Sequence, residues 1–385
     1  MIASVLAAAP TAAAAPVPPA VAALAAAAAL VVALALDLAV GEPPRRVHPV
    51  ALFGAAVAPL DRDWNRPDVA GVAIAALLPL AAAGALGGVV ALGGVVAAAV
   101  GLGPAAATAA TTLVAGAALS LTVSPRMLAE VAGETVELTE TDPEAARETA
   151  VALVGRDTDS LSPAEIRSAA VESAAENLAD GVVAPLCWFV AGATVGVALV
   201  ARPELWRAGG DALAVGSAGG VGDSAAGTAF ALSLGVAAAG WSKAVNTLDS
   251  MLGYRSKPAG RASARLDDAV MYLPARASAV CLAVAARSPR ILRRARPLAR
   301  EPSSPNSGWP MATAAVALGV RLEKPGAYVL DGGPEPPTPA TARAGVRLVR
   351  AAGGVAAAVG AGWLLALAAA VGNAGSATAA LGVVP

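Results

Sequence analysis

The chain has 385 residues, 57% of them apolar and only 14% charged, with a net charge of −1. Soluble domains carry about 25% charged residues, so a mean hydropathy of +0.65 excludes an ordinary soluble fold, and the near-zero charge gives no ground for nucleic-acid binding. One histidine and two cysteines without CxxC spacing exclude a His-rich metal centre and a disulfide framework; Cys187 and Cys281 read as small buried hydrophobes.

Residues 1–20 are Ala- and Pro-rich and hold an AxA-like pattern. No Lys or Arg precedes Arg45, so the positive n-region of a signal peptide is missing. Ala20–Leu36 is therefore expected to be a retained membrane helix, since about 20 apolar residues cross ~30 Å of hydrocarbon. A polar stretch, Asp37–Asp68, precedes the long apolar block Val69–Val123, which breaks at Gly103–Pro104 and has room for two or three helices. Ser124–Asp180 is charged and reads as helical. Apolar character returns over Gly181–Val200 and, more loosely, over Gly209–Gly240. Ala277–Ala286 is too short to span. Arg287–Arg350 is basic and Pro-rich, and Val349–Val371 reads as the last span.

The pattern predicts an all-α, polytopic integral membrane protein, multi-pass in the cell membrane and in contact with its lipid. It would form a single membrane-embedded domain over 1–385, with a helical polar region at 124–180, a motif loop at 241–268 and a basic, Pro-rich region at 287–349. If Val69–Val123 and Gly181–Gly240 each cross twice, the basic residues place every polar stretch in the cytoplasm and the N-terminus outside.

Chemistry concentrates in the polar stretches. Lys243–Asp268 reads KAVNTLDSMLGYRSKPAGRASARLDD. There Lys243, Asn246, Asp249 and Ser250 share a helical face, Tyr254 and Arg255 follow a Gly253 turn, Arg261 and Arg265 lie one helical turn apart, and Asp267–Asp268 close the set. Polar groups beside a bilayer are expensive unless paired or functional, so a binding site competes here with paired interfacial ions. Glu172, Glu176 and Asp180 fall at i, i+4 and i+8, with Asn177 among them; this is either a solvated face or a place for a cation such as Mg²⁺, which favours carboxylates plus substrate phosphates. In GRDTDSL (Gly155–Leu161), Asp159, Ser160 and Ser162 suffice to cap a helix starting near Pro163. That leaves Arg156 as a candidate for a phosphate or carboxylate. His48, in GEPPRRVHPV (Gly41–Val50), either shuttles a proton or is structural. SPNSGWP (Ser304–Pro310), with Asn306, reads as a turn. There is no GxxxxGK[ST] loop.

In this order, GEPPRRVHPV, VGRDTDSL, AAVESAAENLADGVVAPL, KAVNTLDSMLGYR, SARLDD, PAR and SPNSGWP resemble the adenosylcobinamide-phosphate synthase family of cobalamin biosynthesis, the CobD/CbiB type, over about Leu34–Leu322. Against that pattern Arg202–Gly240 reads as an insertion. The resemblance implies a membrane enzyme that uses ATP and Mg²⁺ to form an amide between adenosylcobyric acid, a corrinoid, and aminopropanol or its phosphate, with room for association with other enzymes of the pathway. It puts forward Lys243, Asp249 and His48 for catalysis. Arg156, Asp157, Asn177, Asn246, Tyr254, Arg255, Arg265 and Asn306 would bind substrate or phosphate, and Glu172, Glu176, Asp180, Asp267 and Asp268 would hold metal. A corrinoid permease or a non-catalytic accessory or sensor protein is the alternative reading.

Overall fold

Proline marks where helices begin. Pro19, Pro49, Pro67, Pro104, Pro125, Pro143, Pro163 and Pro339 each occupy a first helical position, where the missing N–H has no partner to lose and φ is already set. The computed structural model describes residues 19–44, 46–154, 160–202, 224–254 and 257–380. Its helices are α1 (Pro19–Ala39), α2 (Pro49–Val57), α3 (Pro67–Ala99), α4 (Pro104–Ser120), α5 (Pro125–Thr141), α6 (Pro143–Val154), α7 (Pro163–Leu178), α8 (Ala184–Val200), α9 (Ser224–Leu252), α10 (Arg261–Val270), α11 (Tyr272–Ala285), α12 (Ile291–Leu298), α13 (Gly308–Leu318) and α14 (Pro339–Ala380).

Six helices are long and apolar enough to cross a membrane. They are α1, α3, α4 running on into α5, α7 running on into α8, α9 and α14. The Val69–Val123 block thus supplies two helices long enough to cross, with Gly103–Pro104 as the turn between them. Helices α10 and α11 meet at a 44° bend. The 14 residues of α11 cover ~21 Å, short of the ~30 Å of hydrocarbon, and α10 carries two Arg and two Asp in ten residues. This pair is therefore read as lying outside the spans.

Lipid chains are as apolar as leucine, so spans associate by close packing, and small residues permit the closest approach. Helix α9 lies between α3 and α8 on such contacts. A Cβ at Gly94 of α3 would fall 2.7 Å from the Ala229 Cβ, one at Gly192 of α8 2.5 Å from the Leu234 carbonyl oxygen, and one at Gly196 2.5 Å from the Ala231 Cα. Of the glycine pairs Gly87–Gly88 and Gly93–Gly94 in α3, Gly87 and Gly94 are the members that meet α9.

The polar segments gather at one end of the bundle. The Arg126 backbone N–H of α5 donates to Asp37 at the end of α1 (3.0 Å). Lys257 after α9 donates to Asp61 after α2 (2.7 Å). The Ser124 N–H before α5 donates to the Gly181 carbonyl before α8 (3.0 Å). Loops drawn from the whole sequence therefore share a side, as alternate crossing by the six helices requires.

Three expectations change. Residues 241–268 are mostly helix rather than loop: α9 runs to Leu252, and α10 resumes at Arg261. The region 287–349 holds two short helices and an antiparallel hairpin, β1 (Arg321–Lys324) with β2 (Tyr328–Asp331), in which Leu322 pairs with Leu330; both leucines are fully buried, so a two-residue alternation too short to register in the sequence sets the strands. Cys187 is exposed on α8, whereas Cys281 is buried. The cap expected near Pro163 is present: Ser162 and Glu165 form a reciprocal capping box.

A side chain at the tightest of these glycines should unseat α9. Gly196→Val is expected to destabilise the protein by about 1–3 kcal/mol through overpacking, read as a lower thermal midpoint in detergent. Gly88→Val should leave the midpoint unchanged, because no atom lies within 4 Å of its Cβ position.

Candidate functional site

The site begins with a hydrogen bond that cannot form. Pro185 has no N–H to give to the carbonyl of Gly181 four residues earlier, and its ring crowds that carbonyl. The chain answers with a π-helical segment, Ala179–Val183, between α7 and α8, and the Ser124 N–H takes the freed Gly181 carbonyl. Single π-turns of this kind recur at functional sites. This one carries Asp180, whose Oδ2 accepts from Asn246 Nδ2 of α9 at 3.1 Å.

One turn before Asn246, Lys243 lies within electrostatic reach of Asp180 and of Glu42, which follows α1. One turn after it comes Asp249. Helix α10 supplies Asp267 and Asp268, with Asn246 between Asp180 and Asp267. Burial, reinforced by the Asp180, Asp249 and Asp268 carboxylates, pushes Asp267 up to about 8. The Oδ1 atoms of Asp249 and of Asp267 are buried without a hydrogen-bond partner. A buried polar atom left unpaired costs roughly 1–3 kcal/mol, and a proton, a cation or a substrate N–H at these oxygens would relieve that cost. Gly253 holds part of it open, since a Cβ there would fall 1.8 Å from Asp249 Oδ1.

The other expected residues disperse. Glu172, only 5% exposed, accepts from Ser168 Oγ at 2.9 Å and from the Tyr328 hydroxyl at 2.7 Å, while the Glu323 N–H donates to Ser168 Oγ at 2.8 Å. This network seats the hairpin on α7, so both oxygens of Glu172 are engaged in structure. Glu176 lies between the two groups, within reach of Asp180, Lys324 and Glu172. Asn177 is exposed, and its amide donates back to Ser173. His48 caps α2, its Nδ1 accepting from the Val50 N–H at 3.2 Å, with Nε2 3.7 Å from Glu42. Tyr254 is exposed beneath the Lys257 ammonium, 5.0 Å from its ring centre. Arg265 lines a cleft with Asp68 and Arg261 between α3 and α10. Asn306 is buried, accepts from Arg276 at 2.7 Å and donates to the Asp268 carbonyl at 2.9 Å; it ties the Ser304–Pro310 turn to α10. Arg156, Asp157 and Arg255 lie outside the described residues.

The structure thus brings together Lys243, Asn246, Asp249, Asp180, Asp267 and Asp268. Among the described residues no group of three or more His, Cys, Asp or Glu could by itself hold a metal ion, although magnesium commonly rests on one or two carboxylates and completes its shell with water and phosphate. Glu42, Ser124 and Arg276 were not singled out from the sequence. Glu42 and Arg276 do sit inside quoted motifs, GEPPRRVHPV and PAR, whereas nothing local marks Ser124.

A family model described as CobD/Cbib protein matches residues 30–203 and 217–352. A Methanothrix thermoacetophila protein named probable cobalamin biosynthesis protein CobD is 34% identical over 79% of this chain and 86% of its own length. The cobalamin biosynthesis protein CobD of Mycobacterium tuberculosis is 36% identical over 76% and 79%, and that of Rhodobacter capsulatus 32% identical over 83% and 91%. No solved structure matches. The model skips only 204–216, so the insertion expected at Arg202–Gly240 is shorter, and the part of α9 before Lys243 belongs to the matched pattern.

Carboxylates held together for chemistry are held at the expense of stability. Asp267→Asn should raise the thermal midpoint in magnesium-free detergent, worth about 0.5–2 kcal/mol. Added Mg²⁺ should raise the midpoint of the wild-type protein and leave that of the variant where it is.

Proposed function

The chain belongs to the CobD/CbiB family, and from that premise we propose that it is the membrane enzyme of cobalamin biosynthesis that joins adenosylcobyric acid to (R)-1-amino-2-propanol or its phosphate, giving adenosylcobinamide or adenosylcobinamide phosphate. The observation that carries this reading is the meeting of one ammonium, one amide and four carboxylates from the π-turn between α7 and α8, from α9 and from α10, two of whose oxygens are buried and unpartnered.

A carboxylate is a poor electrophile. In the proposed reaction an oxygen of the substrate carboxylate attacks the γ-phosphorus of ATP, and ADP departs, leaving an acyl phosphate. The amine nitrogen then attacks the acyl carbon. The C–O bond to phosphate breaks, inorganic phosphate leaves, and the nitrogen loses its extra protons to a base. Asp249 suits that task through its open Oδ1. Lys243 would face the negative charge that develops on the phosphoryl and acyl oxygens, and Asn246 holds Asp180 in place. His48 would act by orienting Glu42 rather than by moving a proton.

Mg²⁺ would rest on one or two of the carboxylates Asp267, Asp268 and Asp180, with water and the ATP phosphates completing its shell. When bound it would screen the ATP phosphates and withdraw charge from the transferring group. Glu172 is better understood as structural.

Orientation follows from charge. Among the described residues, every Lys and Arg except Arg202, which follows α8, belongs to the segments at the polar end of the bundle. The positive-inside rule then faces the site to the cytoplasm, where ATP is available. A permease would be expected to carry ionisable groups along its spans; here they lie at one end.

A strain lacking the protein should recover cobalamin-dependent growth on cobinamide and not on cobyric acid; recovery on cobyric acid would overturn the reading. In membranes, Lys243→Ala and Asp249→Ala should each lower amide synthesis at least 100-fold, and an unaffected rate would remove that residue from the mechanism.

A further inference from the structure

The cluster on the π-turn, α9 and α10 accounts for a cation and a proton acceptor, but it holds a single ammonium and offers no cradle for a triphosphate. A second concavity does. It lies between α11, α12 and the turn after α12, with a volume of about 870 Å³, and is lined by Arg293, Arg296, Arg300, Arg276, Tyr272 and Trp309. That volume falls within the ~300–1,000 Å³ typical of small-molecule sites.

Two observations make this more than a basic surface. The first is sidedness. Arg293 and Arg296 lie about one turn apart on α12, Arg300 follows in the turn after it, and all three line the concavity; among the described residues none of their guanidinium groups pairs with a protein group. Arg294, their neighbour on α12, turns the other way and donates to the Gly332 carbonyl of the hairpin. Three guanidinium groups that share a concavity and lack a carboxylate repel one another until an anion joins them, and forked guanidinium groups match phosphate oxygens.

The second is the wall. Arg276 is immobilised by the Tyr272 and Pro305 carbonyls and by Asn306, and its guanidinium stacks 3.6 Å from the Tyr272 ring centre and 5.3 Å from that of Trp309. Aromatic faces beside arginines are the means by which proteins hold planar bases without reading them. The same Asn306 donates to the Asp268 carbonyl, so the basic cleft and the acidic cluster are joined through one buried side chain.

The geometry points to this cleft as the site for a nucleoside triphosphate, with its phosphates on Arg293, Arg296 and Arg300 and its base against Tyr272 and Trp309. The inference rests on the proposed ATP-dependent function and locates the cosubstrate that a missing P-loop leaves without a place. The phosphate of an anionic lipid headgroup would suit the same arginines, so the test separates the two.

The test uses the full chain in nanodiscs of neutral lipid, with Mg²⁺. Binding of a non-hydrolysable ATP analogue and of tripolyphosphate, and retention on phosphatidylglycerol vesicles, are measured for wild type, Arg296→Ala, Arg293→Ala/Arg300→Ala, Trp309→Leu and, as a control with the same loss of charge as Arg296→Ala, Arg294→Ala. Both pocket-arginine variants should weaken the analogue at least tenfold and raise the KM for ATP in amide synthesis by a similar factor, with thermal midpoints unchanged. Trp309→Leu should weaken the analogue but not tripolyphosphate, and Arg294→Ala should alter neither. Unchanged analogue binding in the arginine variants overturns the assignment. So does a loss confined to retention on phosphatidylglycerol vesicles, which would make the cleft a lipid contact, or equal wild-type affinity for tripolyphosphate and analogue, which would remove the nucleoside. Arginine-dependent binding by a protein that forms no amide would uphold the cleft and refute the proposed function. Amide synthesis with an unchanged KM for ATP in the arginine variants would do the reverse.

Discussion

A backbone carbonyl that loses its partner inside an apolar bundle must find another, because no water is there to take it. At Gly181 that requirement shapes the whole polar end. Pro185 withholds the N–H, the helix widens into a π-turn, and the Ser124 N–H crosses from the start of α5 to close the account. The same turn presents Asp180 to α9, so a restriction on one proline ring becomes a link between three helices that are distant in sequence. The docking of α5 then brings Arg126 to Asp37, which fixes the end of α1 beside the loop that carries Glu42.

Two opposite packing regimes meet along α9. Its first part is Gly- and Ala-rich and is gripped by α3 and α8 at van der Waals limits. Its last part carries Lys243, Asn246 and Asp249, where packing gives way to charge. Rigid backbone contact below is what allows strained electrostatics above: a helix that could tilt would let the carboxylates drift apart and hydrate. Catalytic constellations need support of this kind to stay within fractions of an ångström of their working geometry.

The spans were readable because hydrophobic length is a property of contiguous residues. The division of Val69–Val123 into two helices was settled by the proline that restarts the helix at Pro104. The polar motifs were readable as anomalies against an apolar background, and the face shared by Lys243, Asn246 and Asp249 followed from helical spacing. Other features depend on partners far along the chain. The stripe of Glu172, Glu176 and Asp180 divides because Tyr328, 156 positions away from Glu172, takes that carboxylate, while Asn246 takes Asp180 from the other side. Asn306 looked like turn chemistry until Arg276 and the Asp268 carbonyl were found on its two amide atoms. The hairpin escaped because each strand has four residues, fewer than periodicity needs in order to declare itself.

Helix α9 has 29 residues and so measures ~44 Å along its axis, whereas the hydrocarbon it crosses is ~30 Å thick. The surplus is ~14 Å, which is nearly the distance from Lys243 to Leu252 at 1.5 Å per residue. The helix therefore works as a ruler: its apolar length is spent in the bilayer, and the remainder lifts the ammonium, the amide and the carboxylate to the level of the headgroups. There the proposed corrinoid substrate would reach them without entering lipid. A thicker membrane would draw those groups down toward the acyl chains, and a thinner one would raise them into bulk water, so bilayer thickness sets the depth at which this site meets its substrates.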